Sequence, residues 1–158
     1  MAVILEKAVE ADVPVLFAMQ LASFTPLLEK YQDYETSPAA ETIGRLAGRV
    51  NNPQGSFYKI LAAGQTAGAI NVKWKEENRF WIGPLFVLPE YQGQGFAQSA
   101  ICQVESLYPT AESWELFTLL EEQGNCYLYE KLGYRKTGKI KKLNNRATLV
   151  HYRKNTFC

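Results

Sequence analysis

The spacing of apolar residues changes along the chain, and these changes mark the predicted helices and strands. An apolar run over 3–9 predicts a first strand. Asp12 is predicted to be the N-cap of a helix that carries Pro14 in its first turn and has an apolar face reaching almost to Pro26. After Pro26 the pattern predicts no element until a second short helix over about 40–50.

In the middle of the chain the apolar period shortens to that of strands. Three strands are predicted over 56–62, 65–74 and 79–88. The links between them are the short segments 63–65 and 76–78. Because short links join antiparallel neighbours, these strands are predicted to form a meander.

The second half of the chain alternates between helical and strand spacing. A helix is predicted from Phe96 to near Tyr108, with Ala100, Ile101, Val104 and Leu107 on its apolar face. The remaining predictions are a strand over 114–119, a helix over 125–132, and strands over 134–140 and 148–153. The order β-α-α-β-β-β-α-β-α-β-β predicts a mixed α/β sheet rather than a regular βαβ array.

Composition adds limits to this picture. With 158 residues, 47% of them apolar and 21% charged, the chain is predicted to be one soluble domain spanning 1–158. A net charge of +1 argues against binding nucleic acid through bulk positive charge. We expect no membrane span, because no apolar run approaches about 20 residues, and no secretory signal at the N-terminus.

The cysteine and histidine residues favour a protein with free thiols in a reducing compartment and without a metal site. Cys102, Cys126 and Cys158 are an odd number at wide spacings, which indicates free thiols rather than a disulfide framework. Cys102 and Cys126 fall on predicted helix faces and are expected to be buried. The single histidine, His151, makes a zinc site unexpected. The predicted location is cytoplasmic, with no metal cofactor.

The segment PEYQGQGFA at 89–97 is the most specific local pattern. It joins a predicted strand to a predicted helix, and first-turn amides at a helix N-terminus bind anions. The alternative is a plain strand-to-helix connection with glycines for geometry. A P-loop is excluded because Phe96 and Ala97 stand where lysine and serine or threonine are required. The dinucleotide fingerprint is excluded because the turn follows an antiparallel meander.

Two motifs in this chain resemble those of the GCN5-related N-acetyltransferase (GNAT) family. The segment QGQGFA at 92–97 is similar to the family signature Gln/Arg-x-x-Gly-x-Gly/Ala. The segment LYEKLGY at 128–134 is similar to its second hallmark, Tyr-x-x-x-Gly-Phe/Tyr. The motifs lie about 37 residues apart, with the expected helix, strand and helix between them. The resemblance covers nearly the whole chain and implies a mostly antiparallel seven-stranded sheet with helices on both faces.

The resemblance also implies acetyl-coenzyme A as the acyl donor. In the family its pyrophosphate lies on the turn amides, here those of Gln92, Gly93, Gln94, Gly95, Phe96 and Ala97. Its pantetheine arm pairs with the bulged central strand, here at Leu85, Phe86 and Val87. Pro84 fits an irregularity in that strand, and it equally fits an edge strand.

Tyr129 stands at the position where many family members use a tyrosine as the acid for the leaving thiolate. A phenol hydrogen-bonded to sulfur can stabilise or protonate a thiolate. The alternative is a core aromatic on an amphipathic helix. Two residues away, Tyr127 faces another side of the predicted helix. Asn125 is either a contact of the pantetheine amide or only the N-cap of this helix.

The resemblance places the acceptor at the segment 24–41. Its candidate contacts are Phe24, Glu29, Tyr31, Asp33 and Tyr34, because acidic and aromatic side chains hold cationic amines. The alternative is an ordinary exposed helix end. No spacing selects a general base among Glu29, Asp33, Glu35 and Glu90.

The function implied is N-acetyl transfer from acetyl-coenzyme A to a primary amine of a small molecule or peptide, by direct attack. The rival interpretations are a non-catalytic acyl-coenzyme A sensor and an interaction module with the same fold. A homodimer is possible. The basic residues Lys136, Lys139, Lys141 and Lys142 either meet the cofactor's phosphates or only solvate a strand.

Overall fold

A seven-stranded sheet forms the centre of the computed structural model, which describes residues 3–75 and 78–156. The strands are β1 (Ile4–Lys7), β2 (Gly55–Ala62), β3 (Gln65–Lys75), β4 (Arg79–Val87), β5 (Ser113–Leu119), β6 (Arg135–Lys142) and β7 (Thr148–Asn155). The helices are α1 (Val13–Tyr31), α2 (Ile43–Val50), α3 (Phe96–Leu107) and α4 (Gln123–Lys131). This order confirms the predicted one. Cys158 and most of the predicted link 76–78 lie outside the described residues.

The strands lie in the order β1-β2-β3-β4-β5-β7-β6. Neighbours are antiparallel throughout, except for β4 and β5, which pair in parallel. The predicted meander of β2, β3 and β4 is therefore confirmed. The parallel pair follows from the chain path, because α3 crosses over between these two strands.

Each face of the sheet is covered by helices and carries its own core. On one face, α1 and α2 pack Leu16 and Leu46 against Phe57 of β2. On the other face, α3 packs Ile101 against the core that contains Trp114 of β5. The predicted fold class, a mixed, mostly antiparallel sheet with helices on both faces, is confirmed.

The predicted end of α1 before Pro26 is wrong, because the helix continues to Tyr31. Pro26 has no amide hydrogen to donate to the preceding turn. Next to it, the Thr25 hydroxyl donates to the Leu21 carbonyl at 2.5 Å. The helix ends at Gln32, whose φ of 53° is left-handed. This extension places Tyr31 beside the site described below.

Three smaller predictions also need correction. Asp12 occupies the predicted N-cap position of α1, but its carboxylate does not cap that helix; it accepts the Val9 amide at 2.8 Å across the short 3-10 turn before the helix. Leu107, the last residue of α3, is 52% exposed rather than part of the apolar face. Cys102 is exposed, whereas Cys126 is buried as predicted.

One helical segment, Glu10–Tyr31, is long and apolar enough to cross a membrane by length and composition. The sequence expectation concerned uninterrupted apolar runs, whereas this helix meets the criterion by mean hydropathy, with Gln20, Ser23 and Thr25 within it. The finding is weak evidence for a membrane, since core helices meet the same criterion. Here α1 buries Val13, Leu16 and Met19 against the rest of the fold.

Candidate active site

The strands β4 and β5 separate after a short pairing, and this separation opens the sheet. They pair only over 79–81 of β4 and 113–115 of β5. Beyond these residues β5 stays paired with β7, whereas the β4 edge that faced β5 has no strand partner. The unpaired edge leaves backbone groups free for a ligand to add as a further strand.

A bulge in β4 lies where the two strands separate. Ile82 pairs with Val72 and Leu85 pairs with Ile70, so Gly83 and Pro84 together lie opposite the single residue Asn71. The Asn71 side-chain amide donates to the Gly83 carbonyl at 2.9 Å and holds the bulge. Pro84 lies in this bulge and also in the part of β4 that has no β5 partner, so both the irregularity and a local strand edge fit the proline.

The glycine turn has the conformation of an anion-binding site. Gly93 and Gly95 have φ values of 78° and 80°, which favour glycine. Among the described residues, none of the amides from Gly93 to Ala97 donates a hydrogen bond. Gln92 braces the turn by donating its side-chain amide to the Val87 carbonyl at 2.9 Å. The Phe96 side chain is buried in the core, so this residue offers only its backbone.

A groove of about 460 Å³ runs between this turn and the start of α4. We call it the turn groove. Of the predicted cofactor residues it is lined by Leu85, Phe86, Val87, Gln92, Ala97 and Asn125. Gly93, Gln94 and Gly95 are exposed at the turn itself. The groove therefore joins the free amides to the unpaired part of β4.

A second opening, of about 300 Å³, lies between the end of α1 and the separated strands. We call it the α1 cavity. Of the five predicted acceptor contacts, Phe24, Tyr31 and Asp33 line it. Glu29 and Tyr34 are exposed and lie outside its lining. The turn groove and the α1 cavity share five lining residues, Phe24, Leu27, Leu85, Asn125 and Tyr129.

Tyr129 lies where the two openings meet. Its ring is buried against the rings of Tyr134 and Tyr152, each with its centroid 6.1 Å away. Its hydroxyl makes no hydrogen bond to any residue that the structure describes. Burial raises the pKa of Tyr129 to about 12, so the phenol keeps its proton at neutral pH. A protonated, unpartnered hydroxyl at a shared wall can donate to a ligand. Tyr127 is 62% exposed and contributes to neither opening.

Asn125 is not the N-cap of α4, because that helix begins at Gln123 and Glu122 precedes it. The Asn125 side chain is exposed and lines both openings, so the capping alternative is wrong. Glu122 accepts the Tyr31 hydroxyl at 2.5 Å and Lys30 at 3.4 Å. These contacts fix the end of α1 against the start of α4.

His151 belongs to a buried polar network rather than to either opening. Its Nε2 lies 3.1 Å from Glu115, and its Nδ1 lies 2.6 Å from the Thr137 hydroxyl. Glu115 also pairs with Arg79 at 2.9 Å. Burial lowers the pKa of His151, which favours a neutral imidazole that donates to Glu115 and accepts from Thr137. Both ring nitrogens are engaged, which indicates a structural role for this residue.

The other sequence candidates lie on the surface. Glu35 is exposed and pairs with Lys141 at 2.9 Å, and Glu90 is exposed beside the glycine turn. All residues of β6 are exposed on the outer strand of the sheet, including the predicted basic group. In the described parts of the chain, no group of three or more histidine, cysteine, aspartate or glutamate side chains is arranged to hold a metal ion.

Comparison with known proteins identifies the family. Residues 16–134 match the Acetyltransferase (GNAT) family. The chain belongs to the GNAT family. The uncharacterized protein YrkN of Bacillus subtilis (strain 168) is 31% identical to it over 135 residues, which are 84% of this chain and 72% of YrkN. The resemblance carried by the two sequence motifs is thereby confirmed.

Solved structures share the GNAT fold at low identity. The ribosomal-protein-S18-alanine N-acetyltransferase from Escherichia coli superposes with a TM-score of 0.78 at 12% identity, over 97% of this chain and 93% of that chain. The PaiA N-acetyltransferase from Thermoplasma acidophilum, solved in complex with coenzyme A, gives 0.75 at 15% identity, over 98% and 99%. Membership of the GNAT family implies acetyltransferase activity.

Several residues of the candidate site are not apparent from the sequence. The α1 cavity also contains Leu27, Ile82, Phe117 and Leu149, which come from four separate elements. In the sequence each looks like an ordinary apolar position of a helix or strand. Asn71 gives one usable signal, because a polar residue within a buried strand needs a hydrogen-bond partner.

Proposed function

We propose that this GNAT protein transfers the acetyl group of acetyl-coenzyme A to a primary amine of a small molecule or peptide, by direct attack. The observation that carries the proposal is that the turn groove and the α1 cavity meet at Tyr129. Two ligands entering by the two openings come together beside a hydroxyl that keeps its proton. This is the arrangement that a bisubstrate transfer requires.

The donor side fits coenzyme A in both charge and shape. The free amides from Gly93 to Ala97, at the N-terminus of α3, suit a pyrophosphate. The unpaired edge of β4 at Leu85 to Val87 suits the amides of a pantetheine arm. When bound, acetyl-coenzyme A supplies an activated thioester.

The protein's own groups then have distinct tasks. Backbone amides of β4 near Val87 donate to the carbonyl oxygen as it gains charge. Asn125 supplies a side-chain amide at the entrance to both openings. Tyr129 donates its proton toward the sulfur that leaves. This division uses no nucleophilic side chain, in keeping with direct attack.

Acetyl-coenzyme A is expected to raise the melting temperature of the parent protein by several degrees at about 100 times its dissociation constant. Gly95→Val should reduce this shift strongly, because a β-branched residue is strained at a φ of 80°. Gln94→Ala is the matched control, because it removes an exposed side chain and keeps the backbone amide. Its melting temperature should rise with acetyl-coenzyme A as much as that of the parent protein. Thermal unfolding with and without acetyl-coenzyme A measures all three.

The result that contradicts the donor site is a full shift in Gly95→Val or none in the parent protein. If acetyl-coenzyme A raises the melting temperature of the parent protein but no amine of a broad panel causes coenzyme A release, the result would instead support a non-catalytic sensor.

A further inference from the structure

The two buried carboxylates of the described residues differ in their partners. Glu115 is 1% exposed and pairs with Arg79 and His151. Asp33 is 6% exposed, and no lysine, arginine or histidine of the described chain pairs with it. Its carboxylate accepts only from Thr36, through the backbone amide at 2.9 Å and the hydroxyl. Asp33 is therefore a buried carboxylate that is held by hydrogen bonds but has no cationic partner, and a ligand can supply one.

Asp33 lines the α1 cavity, whose other walls are mainly apolar. The apolar lining includes Phe24, Leu27, Ile82, Phe117, Leu119 and Leu149. No lysine, arginine, histidine or second carboxylate contributes to that lining. The cavity therefore has one place for a positive charge and apolar surface for the rest of a ligand. Its volume of about 300 Å³ suits a small molecule.

We propose that the acceptor is a small monoamine with an apolar body, drawn into the α1 cavity as its ammonium form by Asp33. This inference rests on the proposed function and names the substrate class of that site. The apolar body lies against the aromatic and aliphatic walls while the ammonium group pairs with the carboxylate. The ammonium group passes one proton to solvent water, and the neutral amine, in the cavity that Tyr129 also lines, attacks the thioester carbonyl. The C–N bond forms and the C–S bond breaks, the leaving sulfur takes the Tyr129 proton, and the second proton lost by the nitrogen restores the phenol.

The same features disfavour the other common amines. A polyamine or an aminoglycoside carries several cations, and the cavity lining offers a single carboxylate. A free amino acid brings its own carboxylate toward Asp33 and is repelled. A peptide amino terminus adds polar backbone groups that apolar walls leave without partners.

The test is direct binding of 2-phenylethylamine, measured by calorimetry with and without coenzyme A. Asp33→Asn removes the charge and keeps a side-chain oxygen for the Thr36 amide, so the local turn is retained. We expect Asp33→Asn to bind 2-phenylethylamine about tenfold more weakly or worse. The neutral analogue 2-phenylethanol should bind the parent protein weakly, and Asp33→Asn should leave its affinity unchanged.

Glu35→Gln is the matched control, since it removes one negative charge from the same loop at an exposed position that pairs with Lys141. It should bind the amine like the parent protein. The melting temperatures of both variants show whether weaker binding comes from the lost charge or from an unfolded protein. Equal loss in Glu35→Gln and Asp33→Asn would mean only a general charge effect and would overturn the proposal.

Three further outcomes overturn the proposal: no binding of 2-phenylethylamine, equal binding by the parent protein and Asp33→Asn, or tighter binding of spermidine or a short peptide amide. Failure of the proposed function is visible separately, as no coenzyme A release with any amine. If spermidine is acetylated best, the function holds and the substrate class is wrong.

Discussion

Tyr129→Phe should bind acetyl-coenzyme A like the parent protein and lose about 100-fold or more in kcat, the usual scale for a removed general acid. The substitution removes only the hydroxyl, which has no hydrogen-bond partner among the described residues, so the packing against Tyr134 and Tyr152 is kept. Coenzyme A release at saturating amine measures kcat, and the acetyl-coenzyme A shift in melting temperature measures binding. Tyr127→Phe, at an exposed position two residues away, is the control and should keep full turnover.

The pH dependence follows from the same hydroxyl. Burial raises the pKa of Tyr129 to about 12, above the ordinary value near 10. The donor form therefore persists as pH rises and is lost only near 12. We expect kcat of the parent protein not to decline between about pH 8 and pH 10. Unchanged kcat in Tyr129→Phe would remove this tyrosine from the mechanism, whatever the pH profile.

Gly68→Ala should cost about 3 kcal/mol or more of folding stability. Gly68 lies on β3 opposite Val87 of β4. A Cβ at this position would overlap the Phe86 carbonyl oxygen and lie 2.9 Å from the Val87 Cα, so the backbone of β4 must move. The segment that moves is the one proposed to pair with pantetheine. The variant should therefore also show a smaller acetyl-coenzyme A shift.

Gly48→Ala provides the comparison for Gly68→Ala. An added Cβ in α2 meets no atom within 4 Å, and alanine favours a helix by about 0.5–1 kcal/mol. In urea unfolding, the free energy of unfolding should therefore fall in Gly68→Ala and rise in Gly48→Ala, relative to the parent protein. Equal stability of Gly68→Ala and the parent protein would mean that β3 and β4 do not approach as closely as described.

Local patterns predicted most of the fold because they reflect local physics. The order of elements follows from apolar periodicity and turn residues, and both are visible in the sequence. The sequence predicts the end of α1 too early because proline usually stops a helix, whereas Pro26 lies within this one. What extends the helix is tertiary contact, since Tyr31 bonds Glu122 far along the chain.

The candidate site divides in the same way. The glycine turn and Tyr129 belong to short motifs, so the sequence alone predicts the donor side that is proposed above. The α1 cavity is assembled by strands that separate after three paired positions, which no local pattern records. Asp33 was one of several acidic candidates in the sequence. Only burial and the lack of a cationic partner set it apart from Glu29 and Glu35.

The two openings are built from different kinds of atoms. The glycine turn and the free β4 edge offer main-chain groups, which almost any sequence of suitable conformation retains. The α1 cavity is walled mainly by side chains, and several of them, such as Ile82, Phe117 and Leu149, do not line the turn groove. Acceptor choice in this scaffold is therefore expected to be separable from donor choice. Changing a few cavity residues should retarget the enzyme to a different amine while its donor remains the same.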